Sequence, residues 1–225
     1  MAAFRAAIAA GYGIECDIQA TSDGTPVVFH DDDLPRLTGV EGLVRALGMD
    51  ALSMLRIMGT DQAIPTLVDL LTEVAGQVPL LIEIKDQSLK SSDDVGDLSR
   101  RVAELVAGYV GPLAVMSFNP HSIADFHKAA PEVTVGLTTC GYDADEWDML
   151  DAATRAHLAA IADFDRVGAS FISHDRKDLG NPAVTELKTA GVPVLTWTIR
   201  SPDQEAAARR VADNITFENY VPGEA

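Results

Sequence analysis

Two cysteines, Cys16 and Cys140, are all the thiols in a chain of 225 residues. Two thiols so far apart make neither a disulfide framework nor a zinc site, and a reduced, cytoplasmic setting is the expectation. Positive charge is also scarce. Lys plus Arg is 17 against 34 Asp plus Glu, a formal charge of −17. A surface this acidic repels a phosphate backbone, which argues against general nucleic-acid binding. No apolar run approaches the roughly 20 residues of a membrane-spanning helix. The apolar opening Met1–Ala10 is interrupted by Arg5 and lacks a positive leader, so it reads poorly as a secretory signal. Linkers, low-complexity tracts and repeats are missing too, and one domain over residues 1–225 is expected. Apolar residues, in contrast, make up 47% of the chain and charged residues 23%, enough for a sizeable core.

Short β-rich runs alternate with amphipathic ones, the pattern of parallel βα units. Strands are expected at Ile14–Ile18, Pro79–Ile84, Leu113–Phe118, Val133–Thr138, Ala169–Ile172, Val192–Trp197 and Ile215–Phe217. A short strand at Val27–Phe29 returns from the Asp23-Gly24 turn. Helices are expected at Met1–Ala10, Leu67–Val74, Val95–Val106, Ile123–Ala130, Ala183–Ala190 and Asp203–Ala212, with one long or two short helices over Asp145–Phe164. The seven main runs are one short of a closed (β/α)₈ barrel, and the chain opens on a helix where a barrel has a strand.

Three stretches carry chemistry. Along Gly13–Gln19, strand alternation puts Glu15, Asp17 and Gln19 on one face and Ile14, Cys16 and Ile18 on the other. Two adjacent carboxylates repel unless protonated or bridged by a cation, and oxygen donors suit Mg²⁺ or Ca²⁺. A half-exposed strand with its polar face in water would have the same pattern. In Leu80–Asp86, Glu83 and Lys85 share a face near the C-terminal end of an apolar run, where barrel active sites sit. Glu83 can complete a three-carboxylate site and Lys85 can meet a phosphoryl oxygen; an ordinary Glu–Lys pair at a strand end is the alternative. His30 follows Val27–Phe29, where nearby negative charge favours an imidazolium suited to acid catalysis or phosphate contact. Asp31–Asp33 and Arg36 read as a solvated loop.

Taken in order, these stretches resemble the glycerophosphodiester phosphodiesterase family. The resemblance rests on Glu15-Cys16-Asp17, Thr21–Gly24, Val27–Asp31, Arg36–Gly39, Ile64–Leu67 and Ile82–Lys85. It continues through Ser117-Phe118-Asn119 and Val194–Thr198, so it covers nearly the whole chain. It implies a (β/α)₈ barrel of the TIM type that hydrolyses glycerophosphodiesters to glycerol 3-phosphate and an alcohol with a divalent cation. By position, Glu15, Asp17 and Glu83 match the family's metal ligands and His30 the second of its two catalytic histidines. Lys85 matches a basic residue near the phosphate, and Phe118 and Trp197 fall on the substrate mouth. Loop Asp86–Asp94 and segment Thr139–Asp165 are expected to shape that mouth.

The chain departs from the family at its start. Members begin with a strand ending in His-Arg-Gly and a Pro-Glu-Asn loop, whereas Met1-Ala2-Ala3-Phe4 resembles the helix that follows. The expectation is a barrel lacking its first strand and one histidine of the pair, with a seam between Ile14–Ile18 and Ile215–Phe217 through which copies can associate. Of the other histidines, His121, His127 and His157 fall in helical segments, and His174 is a minor candidate for the mouth. Two other functions stay open: a non-catalytic module binding a phosphoryl ligand or cation, and a phosphodiesterase resembling the phosphatidylinositol-specific phospholipases.

Overall fold

The computed structural model describes residues 1–88 and 90–223. Its strands are β1 (Ile14–Ala20), β2 (Pro26–Val28), β3 (Leu80–Ile84), β4 (Leu113–Ser117), β5 (Thr134–Thr139), β6 (Phe171–Asp175), β7 (Val194–Ile199) and β8 (Asn214–Phe217). Its helices are α1 (Ala2–Ala9), α2 (Pro35–Thr38), α3 (Met49–Ser53), α4 (Leu67–Val74), α5 (Leu98–Val106), α6 (Pro120–Ala129), α7 (Ala152–Ala159), α8 (Pro182–Thr189) and α9 (Pro202–Ala208). One sheet runs in the order β2-β1-β3-β4-β5-β6-β7-β8. All neighbours are parallel except β2, which pairs antiparallel with β1 through Ile18–Val28, Gln19–Val27 and Ala20–Pro26.

Strand alternation divides the sheet into two faces. Ile14, Cys16, Ile18, Leu80, Ile82, Ile84, Val115, Val135, Leu137, Ile172 and Val194 pack against helix residues such as Leu67, Leu70, Val102, Ile123 and Phe126 in one continuous core. Five helix starts are fixed by side chains that accept from otherwise unpaired backbone N–H groups. Thr66 and Asp69 form a reciprocal capping box on α4, and Asn119, Asp151, Asn181 and Ser201 cap α6 to α9 in turn. The opposite face of the sheet lines the barrel interior. There Gly136 leaves room for Phe171, its partner in register. A Cβ on Gly136 would lie 2.5 Å from that ring.

The seven parallel strands are those expected, with ends that coincide or are displaced by at most three residues. The largest displacement is at β6, which starts at Phe171 and runs on through His174. Three expectations change. First, Asp31–Asp33 and Arg36, expected as a solvated loop, belong to a folded excursion, residues 29–66, although Asp32, Asp33 and Arg36 are exposed. The excursion folds over the end of β2 as α2, a 3-10 turn at Val44–Ala46 and α3, around Val27, Phe29, Leu34, Val44, Leu52 and Ile64. Second, Asp145–Phe164 contains only α7, because Asp151 accepts from Thr154 N and starts the helix there. Third, α5 begins at Leu98, so the acidic run Ser91–Asp94 precedes the helix and is not its first turn.

The seam lies where the sequence put it, with one difference. β1 is not a bare edge along its whole length, since β2 covers its C-terminal end. Among the described residues β8 has β7 alone as a ladder partner. Tyr12, just before β1, meets Phe217 of β8 edge to face at 5.1 Å, and Phe217 meets Tyr220 at 5.8 Å. Among the described residues no helix is long and apolar enough to cross a membrane.

Candidate active site

The parallel register pairs Asp17 with Glu83 across β1 and β3, and Glu15 with Leu81. Glu15, Asp17 and Glu83 therefore leave adjacent strands on the same inward face. Each offers a carboxylate oxygen, and the three oxygens lie within 4.8 Å of one another. Lys85 closes the cluster: its Nζ is 2.7 Å from Asp17 Oδ1 and 2.7 Å from Glu83 Oε1. Thr138 of β5 donates to Glu83 Oε2 at 3.3 Å.

Burial here opposes charge. Burial first, then the neighbouring Asp17 and Glu83, push the Glu15 carboxyl well above its usual range, with Lys85 opposing. Burial likewise raises Glu83, against the pull of Lys85. For Lys85 burial works against the ammonium, but Glu83 and Asp17 outweigh it and hold the side chain protonated. One ammonium among three carboxylates leaves a net negative pocket of hard oxygen donors. That donor set fits a divalent cation of the Mg²⁺ or Ca²⁺ type.

His30 is held by a network that sequence reading missed. Its Nδ1 lies 2.7 Å from Asp31 Oδ1, and the Arg36 guanidinium grips both oxygens of Asp31 at 2.6 Å. Arg36 in turn keeps the Asp31 carboxyl below its usual range, with burial opposing and His30 assisting. Behind the loop, the buried Gln19 amide donates to the carbonyls of Phe29 at 3.0 Å and Asp31 at 2.6 Å, one on each side of His30. A carboxylate only accepts, so Nδ1 carries the proton and Nε2 is left for a ligand. Asp31 and Arg36 are thus not only solvated loop residues. The signal that could have found them is their position: Asp31 adjoins His30, and Gln19 shares the inward face of Glu15 and Asp17.

Phe118 and Trp197 point inward from the ends of β4 and β7 and meet at 5.6 Å. Two further rings from the loop after β5 complete the group: Trp147 lies 5.3 Å from Phe118, and Tyr142 lies 4.8 Å from Trp147. His174 does not join the mouth. It shares the helix-facing side of β6 with Ile172, fully buried, with Thr139 Oγ1 at 2.7 Å from Nδ1 and the Asp178 carbonyl at 3.1 Å from Nε2. Segment Thr139–Asp165 supplies Tyr142 and Trp147. In loop Asp86–Asp94, Asp86 accepts from Ser88, Ser91 and Asn119; Leu89 of that loop lies outside the described residues. Both cysteines are free and buried. Burial raises the Cys16 thiol well above its usual range and Cys140 to about 12, so neither is a ready nucleophile.

The family model described as the glycerophosphoryl diester phosphodiesterase family matches residues 1–215. The chain belongs to that family. A glycerophosphodiester phosphodiesterase from Caldanaerobacter subterraneus subsp. tengcongensis is 28% identical over 97% of this chain and 87% of its own length. Glycerophosphodiester phosphodiesterase 1 of Homo sapiens is 24% identical over 86% of this chain and 65% of its own length. Among solved structures, an Oleispira antarctica phosphodiesterase in complex with the product sn-glycerol-3-phosphate superposes with a TM-score of 0.77. It is 21% identical and covers 96% of this chain and 85% of its own. The Thermotoga maritima glycerophosphodiester phosphodiesterase gives 0.71 at 22% identity, over 96% and 86%. These likenesses make the fold of the TIM-barrel type, here an open sheet among the described residues.

Proposed function

We propose that the chain hydrolyses glycerophosphodiesters to glycerol 3-phosphate and an alcohol at the inward face of β1 and β3. The observation that carries this is the convergence of Glu15, Asp17 and Glu83 around one point, with Lys85 beside them, in a chain of this family. Glu15, Asp17 and Glu83 would hold a divalent cation, whose chemistry is to neutralise and polarise the phosphoryl oxygens. Lys85 stays charged and offers N–H groups to a phosphoryl oxygen. His30, with Nδ1–H committed to Asp31, would carry a second proton on Nε2 in its imidazolium form and give that proton to the departing alkoxide; such a group typically contributes ~10²–10⁴-fold. Phe118 and Trp197 meet the alcohol moiety. Two free, buried thiols fit a cytoplasmic setting.

A second reading has its own support. Lys85 already bridges Asp17 and Glu83, so part of the carboxylate charge is balanced internally, and a module that binds a phosphoryl ligand without cleaving it is compatible. Release of glycerol 3-phosphate from a panel of glycerophosphodiesters, with Mg²⁺, Mn²⁺ or Ca²⁺, separates the two. Hydrolysis is expected, and Glu83→Gln should lower both divalent-cation affinity and turnover by at least ~100-fold, since even residues that only support a metal ligand are worth ~10–100-fold. No release with any cation overturns the hydrolytic reading. Unchanged cation titration in Glu83→Gln overturns the ligand assignment.

A further inference from the structure

We infer that Gln87 is a positioning residue for the reaction: its side-chain amide splices the β1–β3 ladder at the mouth and so sets Lys85 and His30 relative to one another. This rests on the reading above and adds a residue that acts on the site only through others. The parallel register, which ends at Ile18–Ile84, fixes where each backbone bond falls. Ile14 N donates to Pro79 O at 2.9 Å, and Lys85 N donates to Ile18 O at 3.0 Å. Bonds in a parallel ladder are evenly spaced, so the next rung would join Ala20 N to Lys85 O. Among the described residues that rung is not made directly. Ala20 N donates instead to Gln87 Oε1 at 3.3 Å, and Gln87 Nε2 donates to Lys85 O at 3.1 Å. A primary amide has both an acceptor and donors, so one side chain satisfies both main-chain groups while it holds the two strands apart.

Both ends of the splice lead to the site. Lys85 is held by Ile18 O through its N–H and by Gln87 through its carbonyl, and its Nζ reaches Asp17 and Glu83. Ala20 follows Gln19, whose amide fixes the carbonyls on either side of His30. The half-buried Gln87 is itself firmly seated. Asp86, the residue before it, accepts from Ser88 N, Ser88 Oγ, Ser91 N and Asn119 Nδ2 at 2.7–3.0 Å. Asn119 is fully buried and caps α6. Glu15, Asp17 and Glu83 lie within the regular part of the ladder. Loss of the amide therefore shifts Lys85 against His30 but leaves the three carboxylates in register, so it divides phosphoryl binding from cation binding.

Two variants of the full chain test this. Gln87→Met keeps the bulk between the strands and removes both bonds. Gln87→Glu keeps the acceptor for Ala20 N and removes the donor to Lys85 O. Hydrogen exchange at the Ala20 amide, read by NMR, should quicken by about tenfold or more in Gln87→Met and stay near the parent in Gln87→Glu. Calorimetry then compares Mn²⁺ alone with glycerol 3-phosphate in the presence of Mn²⁺. Both variants should hold Mn²⁺ within about twofold of the parent while glycerol 3-phosphate weakens by roughly fivefold or more and turnover falls by ~10–100-fold, the scale of a small misplacement. An Ala20 amide that exchanges as slowly in Gln87→Met as in the parent overturns the splice. Equal losses of Mn²⁺ and glycerol 3-phosphate affinity, no loss of either, or a parent that does not bind glycerol 3-phosphate overturns the positioning role. If Gln87→Met fails to fold, Gln87→Glu decides by the same comparison. A parent that binds glycerol 3-phosphate but releases none from any diester overturns the hydrolytic reading alone, because the split between the two affinities still decides this inference.

Discussion

Gln19 shows how a residue without reactive chemistry can govern one that has it. Its amide bonds fix the carbonyls on both sides of His30, so Gln19→Leu leaves two acceptors unpaired and frees the loop. Turnover should fall by up to ~10²-fold, the scale of an ångström misplacement, while divalent-cation affinity stays within about twofold. Kinetics beside cation titration test this, and a parallel loss of both would make Gln19 part of the ligand framework instead. His174 gives a pH prediction. Burial lowers its pKa below the usual 6.5, with Asp178 and Asp175 opposing. A lowered folded pKa means the unfolded chain takes the proton first. His174 therefore contributes stability above pH 6.5 that is lost as pH falls through its folded value. Thermal melting from pH 7.5 to 5 should show a downward step that His174→Asn flattens. Carboxyls held low, such as Asp23 at about 2 and Asp163, act in the same direction but only in stronger acid.

At the level of elements, the alternation of apolar and polar residues was enough to place the strands and to sort their faces, because the period of two is local to each run. It also placed Glu15, Asp17 and Glu83 on a common face before any coordinates. What it could not show was how residues 29–66 fold. Their small core joins Val27 to Leu52 and Ile64 through contacts of long sequence separation, which no local period encodes. Trp147 and Tyr142 were missed for the same reason: they reach Phe118 and Trp197 only after β4, β5 and β7 are assembled. Gly136 was equally silent in the sequence, though β5 depends on it. Gly136→Ala puts a methyl group 2.5 Å from the Phe171 ring and should cost ~1–3 kcal/mol, the range for overpacking. Denaturant melts test this, and a variant within about 0.5 kcal/mol of the parent would show that Phe171 can swing aside.

For the whole molecule the open sheet is the dominant fact. An uncovered ladder edge offers unpaired N–H and C=O groups to another strand, a hazard that barrel closure removes. The ring pair Tyr12–Phe217 bridges the seam, but no ladder of backbone hydrogen bonds does so among the described residues. The chain is expected to associate as its concentration rises, and light scattering after size-exclusion chromatography should show masses above the 23.9 kDa monomer. A monomer at every concentration, with a melting temperature that does not change with concentration, would mean the edges are protected. Its charge of −17 works against association through self-repulsion, so added salt should increase it.

The pairing of Asp17 with Glu83 has a bearing on inheritance. Adjacent strands supply the cluster, yet the chain between them holds the whole excursion of α2, α3 and α4. Once β1 and β3 are zipped, that excursion is a loop with both ends anchored. The entropy of closing a flexible loop grows only logarithmically with length, about 0.6 kcal/mol for each doubling. Descendants of this chain can thus gain or lose residues in the exposed turns of that excursion, outside its small core and the His30 network, at little cost and keep the three carboxylates in register. A single-residue insertion inside β1 or β3 would turn those carboxylates toward the helices. Length variation in this lineage should therefore gather in the exposed turns of that excursion, Gly39–Leu43 and Met58–Asp61, and be purged from His30–Arg36, Ile14–Ala20 and Leu80–Ile84.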